Sequence, residues 1–186
     1  MNKTTLSALA VLAACFALAP AQAQAVNPNM YAEFGYTQYN AKESDSGYTL
    51  KFSPAAVTGT IGYQFTPNIA VEGLFGLGAG EGKIKLNGVK VGVKGQVTKA
   101  VGVYFKPSIA VSDSIDLFAR IGWVHTELEM SVPGASITDS DNGASYGLGA
   151  NFNISKTSYI QASWMNYYKK DGFKIDGINV AYGFRF

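Results

Sequence analysis

The last part of the chain alternates strictly between two kinds of side chain. One parity holds the large apolar residues Ile178, Val180, Tyr182, Phe184 and Phe186, and the other holds Gly177, Asn179, Ala181, Gly183 and Arg185. Successive side chains of a β-strand point to opposite faces. The pattern therefore predicts a strand that runs to the end of the chain, with one bulky face and one small or polar face.

Seven other segments show comparable alternation between turn-forming residues. The predicted strands cover approximately Met30–Tyr39, Val57–Phe65, Ile69–Leu77, Val97–Pro107, Ile115–Val124, Ser145–Asn153, Tyr159–Tyr168 and Ile175–Phe186. Short turns at Thr66–Asn68, Ser112–Ser114 and Ser155–Ser158 alternate with longer connections. This arrangement predicts an all-β fold, an eight-stranded antiparallel up-and-down barrel with both termini at the short-turn end.

The polar faces of these strands carry few charges. They consist mostly of Gly, Thr, Ser, Asn and Gln, with isolated Glu33, Glu72, Arg120 and Arg185, and Phe118 is a bulky exception. A water-exposed surface carries roughly a quarter to a third charged residues. The polar side is therefore predicted to line an enclosed lumen and the bulky side to face lipid, as in a transmembrane β-barrel. A soluble sandwich with the same aromatic residues in its core is the alternative.

The chain begins with a secretory signal pattern. A basic residue precedes an apolar run from Leu6 to Ala19, and small residues in A-x-A spacing follow. This predicts a signal peptide over residues 1–23, cleaved after Ala23 or Ala25, and a barrel domain over residues 26–186. A lipoprotein cleavage box at "LAAC" is an alternative. Without the signal the chain is near-neutral and lacks cysteine, which argues against charge-driven nucleic-acid binding and against disulfides.

Four stretches carry a resemblance to a known family. They are TGTIGYQFTPNIAVEGLFG (58–76), LFARIGW (117–123), YGLGANFNIS (146–155) and VAYGFRF (180–186). Their order and spacing resemble the small outer-membrane β-barrel proteins of Gram-negative bacteria, the OmpA/OmpX-type barrels and their porin-family or opacity-like relatives. The resemblance implies location in the cell outer membrane and insertion by the outer-membrane assembly machinery. It also implies an assembly signal in the terminal strand, formed by Tyr182, Phe184 and Phe186.

Three charged residues have lumen parity. Glu33, Glu72 and Arg120 lie on the first, third and fifth predicted strands, each several residues from the short-turn end. Buried charges must be paired, because an unpaired one costs several kcal/mol or changes its protonation state. We therefore predict a Glu72–Arg120 pair, with Glu33 and either Lys106 or Tyr104 nearby. The cluster is interpreted either as a structural plug or as part of a gated conduction path.

The second long connection, GKIKLNGVKVGVKG (82–95), predicts a hairpin around Asn87-Gly88. Both central residues of a type I′ turn need positive φ, which this dipeptide favours. The implied register pairs Leu86 with Val89, Lys85 with Lys90 and Glu81 with Lys94. One side of the hairpin is basic, and its residues Lys83, Lys85 and Lys90 suggest contact with lipopolysaccharide phosphates; a merely solvated loop is the alternative.

This register conflicts with the parity of the following strand. Lys90 and Lys94 share a face with Phe75 and Leu77, whereas the apolar set that follows begins at Val97. A one-residue β-bulge at Gly92 or Gly95 would reconcile the two parities.

The third long connection contains the only histidine, His125, and is interpreted as a mobile surface loop. A lipid A-modifying enzyme needs a histidine beside a hydroxyl nucleophile and a carboxylate, and "HTE" supplies these types. Neighbours in a strand point to opposite faces, however, so His125 and Thr126 are not expected to meet. The sequence has no metal-spaced His/Cys cluster and no phosphate-binding glycine loop, so we expect no cofactor and no catalysis.

The resulting functional prediction is a monomeric, non-enzymatic outer-membrane barrel. Its extracellular loops are expected to give it a structural or surface-interaction, adhesin-like role, with outer-membrane lipids, lipopolysaccharide and host or envelope surface ligands as partners. A small low-conductance pore is the alternative, and a lipid A-modifying enzyme is a distant one. The same barrel fold hosts all three activities, so the fold does not decide among them.

Overall fold

The computed structural model describes residues 29–45, 47–132, 134–170 and 172–186, so the predicted signal peptide lies outside the described residues. The strands are β1 (Met30–Asp45), β2 (Tyr48–Phe52), β3 (Ala55–Thr66), β4 (Ile69–Gly80), β5 (Gly82–Leu86), β6 (Val89–Ser112), β7 (Ile115–Val132), β8 (Ala135–Asn153), β9 (Ser158–Lys170) and β10 (Phe173–Arg185). In this part of the chain we find no helix long and apolar enough to cross a membrane.

Eight of the strands close into an antiparallel ring. The order around the ring is β1, β3, β4, β6, β7, β8, β9 and β10, and β10 pairs with β1 to close it. Each ring strand pairs with the ring strand that follows it in the chain: short turns join β3 to β4, β6 to β7 and β8 to β9, whereas the β1–β3 and β4–β6 connections contain β2 and β5. The predicted eight-stranded up-and-down barrel is therefore confirmed.

The two faces of the ring are divided as the alternation predicts. In β10, Asn179, Ala181 and Gly183 are buried in the lumen, whereas Ile178 and Val180 are exposed on the outside. The same division holds along β3, β4 and the part of β8 from Ser145 onward. The outside of the ring is thus a broad apolar band that water would not solvate, while the lumen holds the small and polar side chains.

The two remaining strands extend the wall at the long-loop end. β2 pairs with β1, β5 pairs with β6, and β2 and β5 pair with each other. At that end β2 and β5 lie between β1 and β6, as β3 and β4 do nearer the short turns. The first two long connections are therefore largely β-structure. The sequence predicted the hairpin that contains β5, but it did not indicate β2, which has only five residues.

The third long connection is also a β-hairpin, so its prediction as a mobile loop is wrong. Residues Glu127–Val132 of β7 pair in register with Ala135–Ser140 of β8, and the chain reverses at Gly134, where φ is +90°. The residues of this hairpin are mostly exposed on both faces. Their pattern is weak because neither face is packed into a core, although backbone hydrogen bonds still hold the strands together.

The second connection turns where predicted. Asn87 and Gly88 have φ of 48° and 86°, and Leu86 pairs with Val89 and Lys85 with Lys90. Further from the turn the register differs from the prediction, because Lys83 rather than Glu81 lies opposite Lys94. Glu81 still reaches Lys94 and forms an ion pair at 2.7 Å.

The predicted position of the one-residue bulge is wrong. The strand pairs Val97–Leu128 and Lys99–Glu127 leave Thr98 without a partner, so the parity changes at Thr98 and not at Gly92 or Gly95. As a result Val97 points inward and is fully buried, instead of facing outward with Val101.

Candidate functional site

The lumen near the short-turn end contains a cluster of four charged side chains. Glu33 comes from β1, Glu72 from β4, Lys106 from β6 and Arg120 from β7, and all are buried. Each stands at a lumen-facing position of its strand, and the antiparallel register brings the four strands' positions to a similar depth. We call these four residues the ion cluster.

Arg120 is the centre of the ion cluster. Its Nε donates to Glu72 Oε2 at 2.5 Å, and its Nη2 donates to Glu33 Oε2 at 2.6 Å and to Glu72 Oε1 at 3.0 Å. Lys106 Nζ lies 2.8 Å from Glu72 Oε1 and 3.1 Å from Glu33 Oε1. Two carboxylates thus face two cations, and the buried charges of the ion cluster sum to zero.

Neutral donors complete the coordination of the two carboxylates. Tyr31 Oη donates to Glu72 at 2.6 Å, Tyr159 Oη donates to Glu33 at 2.8 Å, and the Gln161 amide donates to Glu33 at 2.5 Å. The Gln161 carbonyl accepts from Arg120 Nη1 at 3.0 Å. Charged groups in a low-dielectric interior are stable only when their remaining hydrogen-bonding capacity is met, and these three residues meet it.

Aromatic rings form the surroundings of the cations. Phe118 lies beneath both, with Lys106 Nζ 4.5 Å and the Arg120 guanidinium carbon 5.0 Å from its ring centroid. The Tyr31 ring lies 4.8 Å from Lys106 Nζ. Such cation–π contacts are stronger when the pair is desolvated. The bulky exception on the polar face of β7 is therefore a platform for the two cations.

The sequence prediction placed Glu33, Glu72 and Arg120 together, and the structure brings them into contact with Lys106. Tyr104 lies apart, where its hydroxyl donates to Ser145 Oγ at 3.1 Å. Sequence analysis missed Tyr31, Tyr159 and Gln161. Gln161 could have been predicted from its parity, because a long amide side chain on the lumen face, among small residues, needs a polar partner.

An apolar layer fills the lumen on the long-loop side of the ion cluster. Its fully buried members include Tyr39 of β1, Phe52 of β2, Ile84 of β5, Val97 of β6 and Tyr167 of β9. The Tyr39 and Tyr167 rings pack with centroids 4.9 Å apart. On the other side, a cavity of about 250 Å³ lined by Tyr31, Lys106 and Arg185 opens below the ion cluster at the short-turn end. The two ends of the lumen are thus separated by packed side chains.

A second candidate site lies on the outside of the barrel. Six lysines lie side by side, one per strand, and successive pairs are directly opposite in the sheet: Lys169–Lys174, Lys174–Lys42, Lys42–Lys51, Lys51–Lys85 and Lys85–Lys90. We call these six residues the lysine row. It crosses β9, β10, β1, β2, β5 and β6, a span of about 24 Å at the usual spacing of strands.

The lysine row points outward, and five of its six side chains are exposed, while Lys174 is half-buried. Its neighbours along the strands, Ala41 and Ile175, point inward and are buried. Lys174 forms an ion pair with Asp176, and among the described side chains no acidic group pairs with the other five lysines. Like charges directly opposite one another destabilise a sheet, so the lysine row favours an anion alongside it. Of the three lysines that sequence analysis selected, Lys85 and Lys90 belong to the row and Lys83 lies opposite Lys94.

The outer surface below the lysine row changes polarity in steps. On β9 and β10, exposed Trp164 and Ile178 lie opposite each other. Two residues further along β10, Asp176 lies opposite Asn40 of β1, and the next outward position is occupied by the lysine row. A sequence of apolar, polar and cationic levels matches the boundary between hydrocarbon and charged headgroups.

His125 lies on the outward face of β7, away from any hydroxyl nucleophile among the described residues. Its Nδ1 lies 2.9 Å from Asn142 Oδ1, and its Nε2 lies 3.6 Å from Glu127 Oε1. Thr126 points to the opposite face and is buried. The arrangement lacks the histidine–hydroxyl contact that acyl-transfer chemistry requires.

The closed ring, the apolar outer band and the filled polar lumen define a transmembrane β-barrel. Residues 7–186 match the model of the outer membrane protein beta-barrel domain family, and the chain belongs to this family. It is therefore a protein of the cell outer membrane, with its short turns on the periplasmic side and its long loops on the extracellular side.

Individual relatives agree with this assignment. The chain is 29% identical over 186 residues to the attachment invasion locus protein of Yersinia enterocolitica, and the alignment covers 100% of both chains. The crystal structure of Ail, the attachment invasion locus protein of Yersinia pestis, in complex with the heparin analogue sucrose octasulfate is similar with a TM-score of 0.59 and 23% identity, over 85% of this chain and 98% of that one. Neisserial surface protein A is similar with a TM-score of 0.66 and 8% identity, over 84% and 97%.

Proposed function

We propose that this chain is a non-enzymatic surface-attachment protein whose lysine row binds phosphate and sulfate groups of polyanions. The observation that carries the proposal is the register of six outward lysines on six neighbouring strands. Lysine is a point-charge donor that suits phosphate and sulfate groups. A row about 24 Å long fits an extended array of such groups better than a single small anion.

Two sources supply this chemistry at the cell surface. Lipopolysaccharide phosphates of the same outer leaflet would lie beside the row, which supports the predicted contact of Lys83, Lys85 and Lys90. Sulfated glycans of a host surface would approach from outside. The name of the Yersinia enterocolitica relative and the heparin analogue bound to the Yersinia pestis protein favour an attachment role for this chain as well.

The filled lumen does not favour the alternative of a small pore. The apolar layer lies between the ion cluster and the extracellular end, and dry apolar constrictions oppose ion passage. We therefore interpret the ion cluster as a structural plug. The geometry around His125 likewise does not favour lipid A modification.

The terminal strand supports a further part of the proposal, recognition by the outer-membrane assembly machinery. Phe184 and Phe186 face outward with their rings stacked 6.3 Å apart, and Tyr182 shares their parity. The N–H of Phe186 donates to the Met30 carbonyl at 2.9 Å, so the last residue belongs to the β10–β1 seam. A chain that closes its own ring at this seam also supports a monomer.

The proposal is tested on the refolded chain in bilayer nanodiscs, by calorimetric titration with sucrose octasulfate and by thermal unfolding with and without lipopolysaccharide in the bilayer. The test variant replaces Lys42, Lys51, Lys85 and Lys90 with Gln. We expect at least tenfold weaker binding of the sulfate ligand, or loss of the stabilisation by lipopolysaccharide, and a strong salt dependence in the unmodified chain.

The matched control is Lys156→Gln in the periplasmic turn, which removes one exposed lysine far from the row. If the row variant loses only the stabilisation by lipopolysaccharide, the ligand is the phosphate of the membrane itself. If the row variant binds sucrose octasulfate more weakly, the ligand is a soluble polyanion. Bacteria that display the chain should then adhere to a heparin-coated surface through the row. If neither anion distinguishes the row variant from Lys156→Gln, the proposed function is wrong.

A further inference from the structure

The cavity at the short-turn end of the lumen has two unlike sides. Asp116 of β7, Asn151 of β8 and Arg185 of β10 line one side, and Ala70 of β4 and Ala110 of β6 line the other. Its volume of about 250 Å³ is far larger than the roughly 10–15 Å³ that a single water needs. The cavity therefore has room for a small organic molecule with one polar and one apolar part. We call it the periplasmic pocket.

Two cations present N–H groups to the periplasmic pocket. Lys106 Nζ has three N–H groups, and two of them donate to the carboxylates of the ion cluster. The Arg185 guanidinium has five. Its Nη2 donates to Asn153 Oδ1 at 2.8 Å, and its carbon lies 4.4 Å from the centroid of the Tyr159 ring, which holds the group in place. Both cations thus keep donors for a ligand, and a carboxylate is a group that such charged donors bind strongly.

Asp116 is paired only loosely with Arg185. Its Oδ2 lies 3.5 Å from Arg185 Nη2, which is longer than the usual range of about 2.7–3.2 Å for an N–H···O hydrogen bond. The same oxygen accepts a hydrogen bond from Asn153 Nδ2 at 3.1 Å. A carboxylate accepts about four hydrogen bonds, so Asp116 has the capacity to bind a cationic group that lies between it and Arg185.

The Asn151 side chain is the third polar group on this side. It lies directly opposite Asp116 in the sheet and is buried. Within the described residues its Oδ1 accepts a hydrogen bond from Gln161 Nε2 at 3.4 Å, a long distance for such a bond. Buried side-chain amides are normally well hydrogen-bonded. Asn151 therefore suits a ligand that brings a further polar group into the periplasmic pocket.

We propose that the periplasmic pocket binds a small α-amino acid in its zwitterionic form. The ammonium group donates to Asp116 and to Asn151 Oδ1, and the carboxylate accepts from Lys106 and Arg185. A short apolar side chain, such as that of valine, packs on the side of the pocket formed by β4 and β6.

The balance of charge selects a zwitterion over a simple anion or cation. The charges of the ion cluster sum to zero, and those of Asp116 and Arg185 cancel. A ligand with a carboxylate alone, or with an ammonium group alone, would bring an unpaired charge into the lumen, where such a charge is costly. An α-amino acid brings both charges and leaves the sum at zero.

This site goes beyond the proposed polyanion binding and does not depend on it, because it lies at the opposite end of the barrel and takes a different ligand. The ion cluster and the apolar layer close the lumen above the periplasmic pocket, so the amino acid enters and leaves on the periplasmic side. The pocket is thus a binding site and not part of a channel.

The probe is L-valine, titrated into the isotope-labelled full chain in nanodiscs and followed by nuclear magnetic resonance. We expect saturable shifts of the amide signals of Asn151, Asn153 and Arg185. N-acetyl-valine lacks the ammonium group and valine amide lacks the carboxylate, so each should bind at least tenfold more weakly than valine.

Two variants assign the two ends of the ligand. Asp116→Asn should weaken the binding of valine at least tenfold but leave that of N-acetyl-valine unchanged, because this analogue has no ammonium group. Arg185→Gln should weaken the binding of valine at least tenfold but leave that of valine amide unchanged. The controls Asp113→Asn and Lys156→Gln lie in exposed periplasmic turns and should bind valine as the unmodified chain does. Heat-dependent gel mobility verifies that each variant is folded.

The absence of saturable shifts with valine would overturn the proposal. Equal binding of valine and either analogue would overturn it as well, since the pocket would then not recognise the two charges together. Shifts confined to residues outside the periplasmic pocket would have the same meaning. None of these outcomes affects the binding of sucrose octasulfate by the lysine row, so a failure of this site is distinct from a failure of the proposed function.

Discussion

The ring of Tyr31 fills the space that a side chain at Gly62 would occupy. The two residues are opposite each other on β1 and β3, and a β-carbon on Gly62 would overlap the Tyr31 ring. Gly183 has the same relation to Tyr159. The two tyrosines that hydrogen-bond the ion cluster thus depend on glycines of the neighbouring strands.

Replacing Gly62 with alanine should destabilise the barrel. The added methyl group pushes the Tyr31 ring away from Glu72, and overpacking of this kind costs about 1–3 kcal/mol. Gly59→Ala on the same strand is the control, because its β-carbon would meet nothing within 4 Å, and alanine in a strand is favoured over glycine by roughly 0.5–1 kcal/mol. Urea unfolding in lipid should therefore give changes of opposite sign. A loss of stability in both variants would contradict the role assigned to Tyr31.

Breaking the ion cluster should cost far more than breaking an exposed ion pair. Arg120→Ala leaves two buried carboxylates with Lys106 as their remaining cation, and the removal of one partner from a buried pair costs about 3–5 kcal/mol. Glu81→Gln removes the exposed pair with Lys94, which contributes about 0–1 kcal/mol. The free energies of unfolding of the two variants provide the measurement. Similar small values would indicate that water enters the lumen and solvates the charges.

The barrel should carry no ion current in planar bilayers, and Arg120→Ala should be equally silent. The reason is that the apolar layer around Tyr39, Phe52 and Ile84 stays in place when the ion cluster is opened. Heat-dependent gel mobility verifies that the variant is folded before it is measured. A stable unitary current through Arg120→Ala would instead support the gated conduction path.

Phe186→Ala should lower the yield of outer-membrane barrel more than it lowers the stability of barrel already folded in detergent. The ring of Phe186 is partly exposed and stacks only on Phe184 among the aromatic contacts of the described residues, so its loss removes little packing. Quantitative blotting of outer-membrane fractions and urea unfolding provide the two measurements. Equal effects on both would mean that Phe186 acts through packing and not as an assembly signal.

Much of the barrel was predictable because its wall is a single β-sheet with only two faces. Each strand residue faces either lumen or lipid, so parity alone placed Glu72 and Arg120 on the inside and Ile178 and Val180 on the outside. Parity also identified Phe118 as unusual, although its role beneath Lys106 and Arg120 depends on distances that parity does not contain.

The lysine row was not predictable as a whole. Lys169 and Lys174 lie far along the chain from Lys42 and Lys51, and the alignment depends on the closure of β10 on β1 and on the pairing of β2 with β1 and β5. These short strands lack the long alternation that identifies the ring. The position of the bulge at Thr98 was also missed. A conflict of parity shows that one residue of the strand has no partner in the neighbouring strand, but it does not show which residue that is.

The position of β2 and β5 also bears on how such a surface can diversify. Because β3 and β4 pair fully with each other, the membrane-spanning ring is complete without the extracellular pair that stands above it. The segment from Tyr48 to Phe52 and the hairpin around Asn87 therefore form an extracellular extension that the membrane-spanning ring does not need for closure. Substitutions or insertions in this extension can change what the cell surface binds, while the sequence of the part embedded in lipid stays the same.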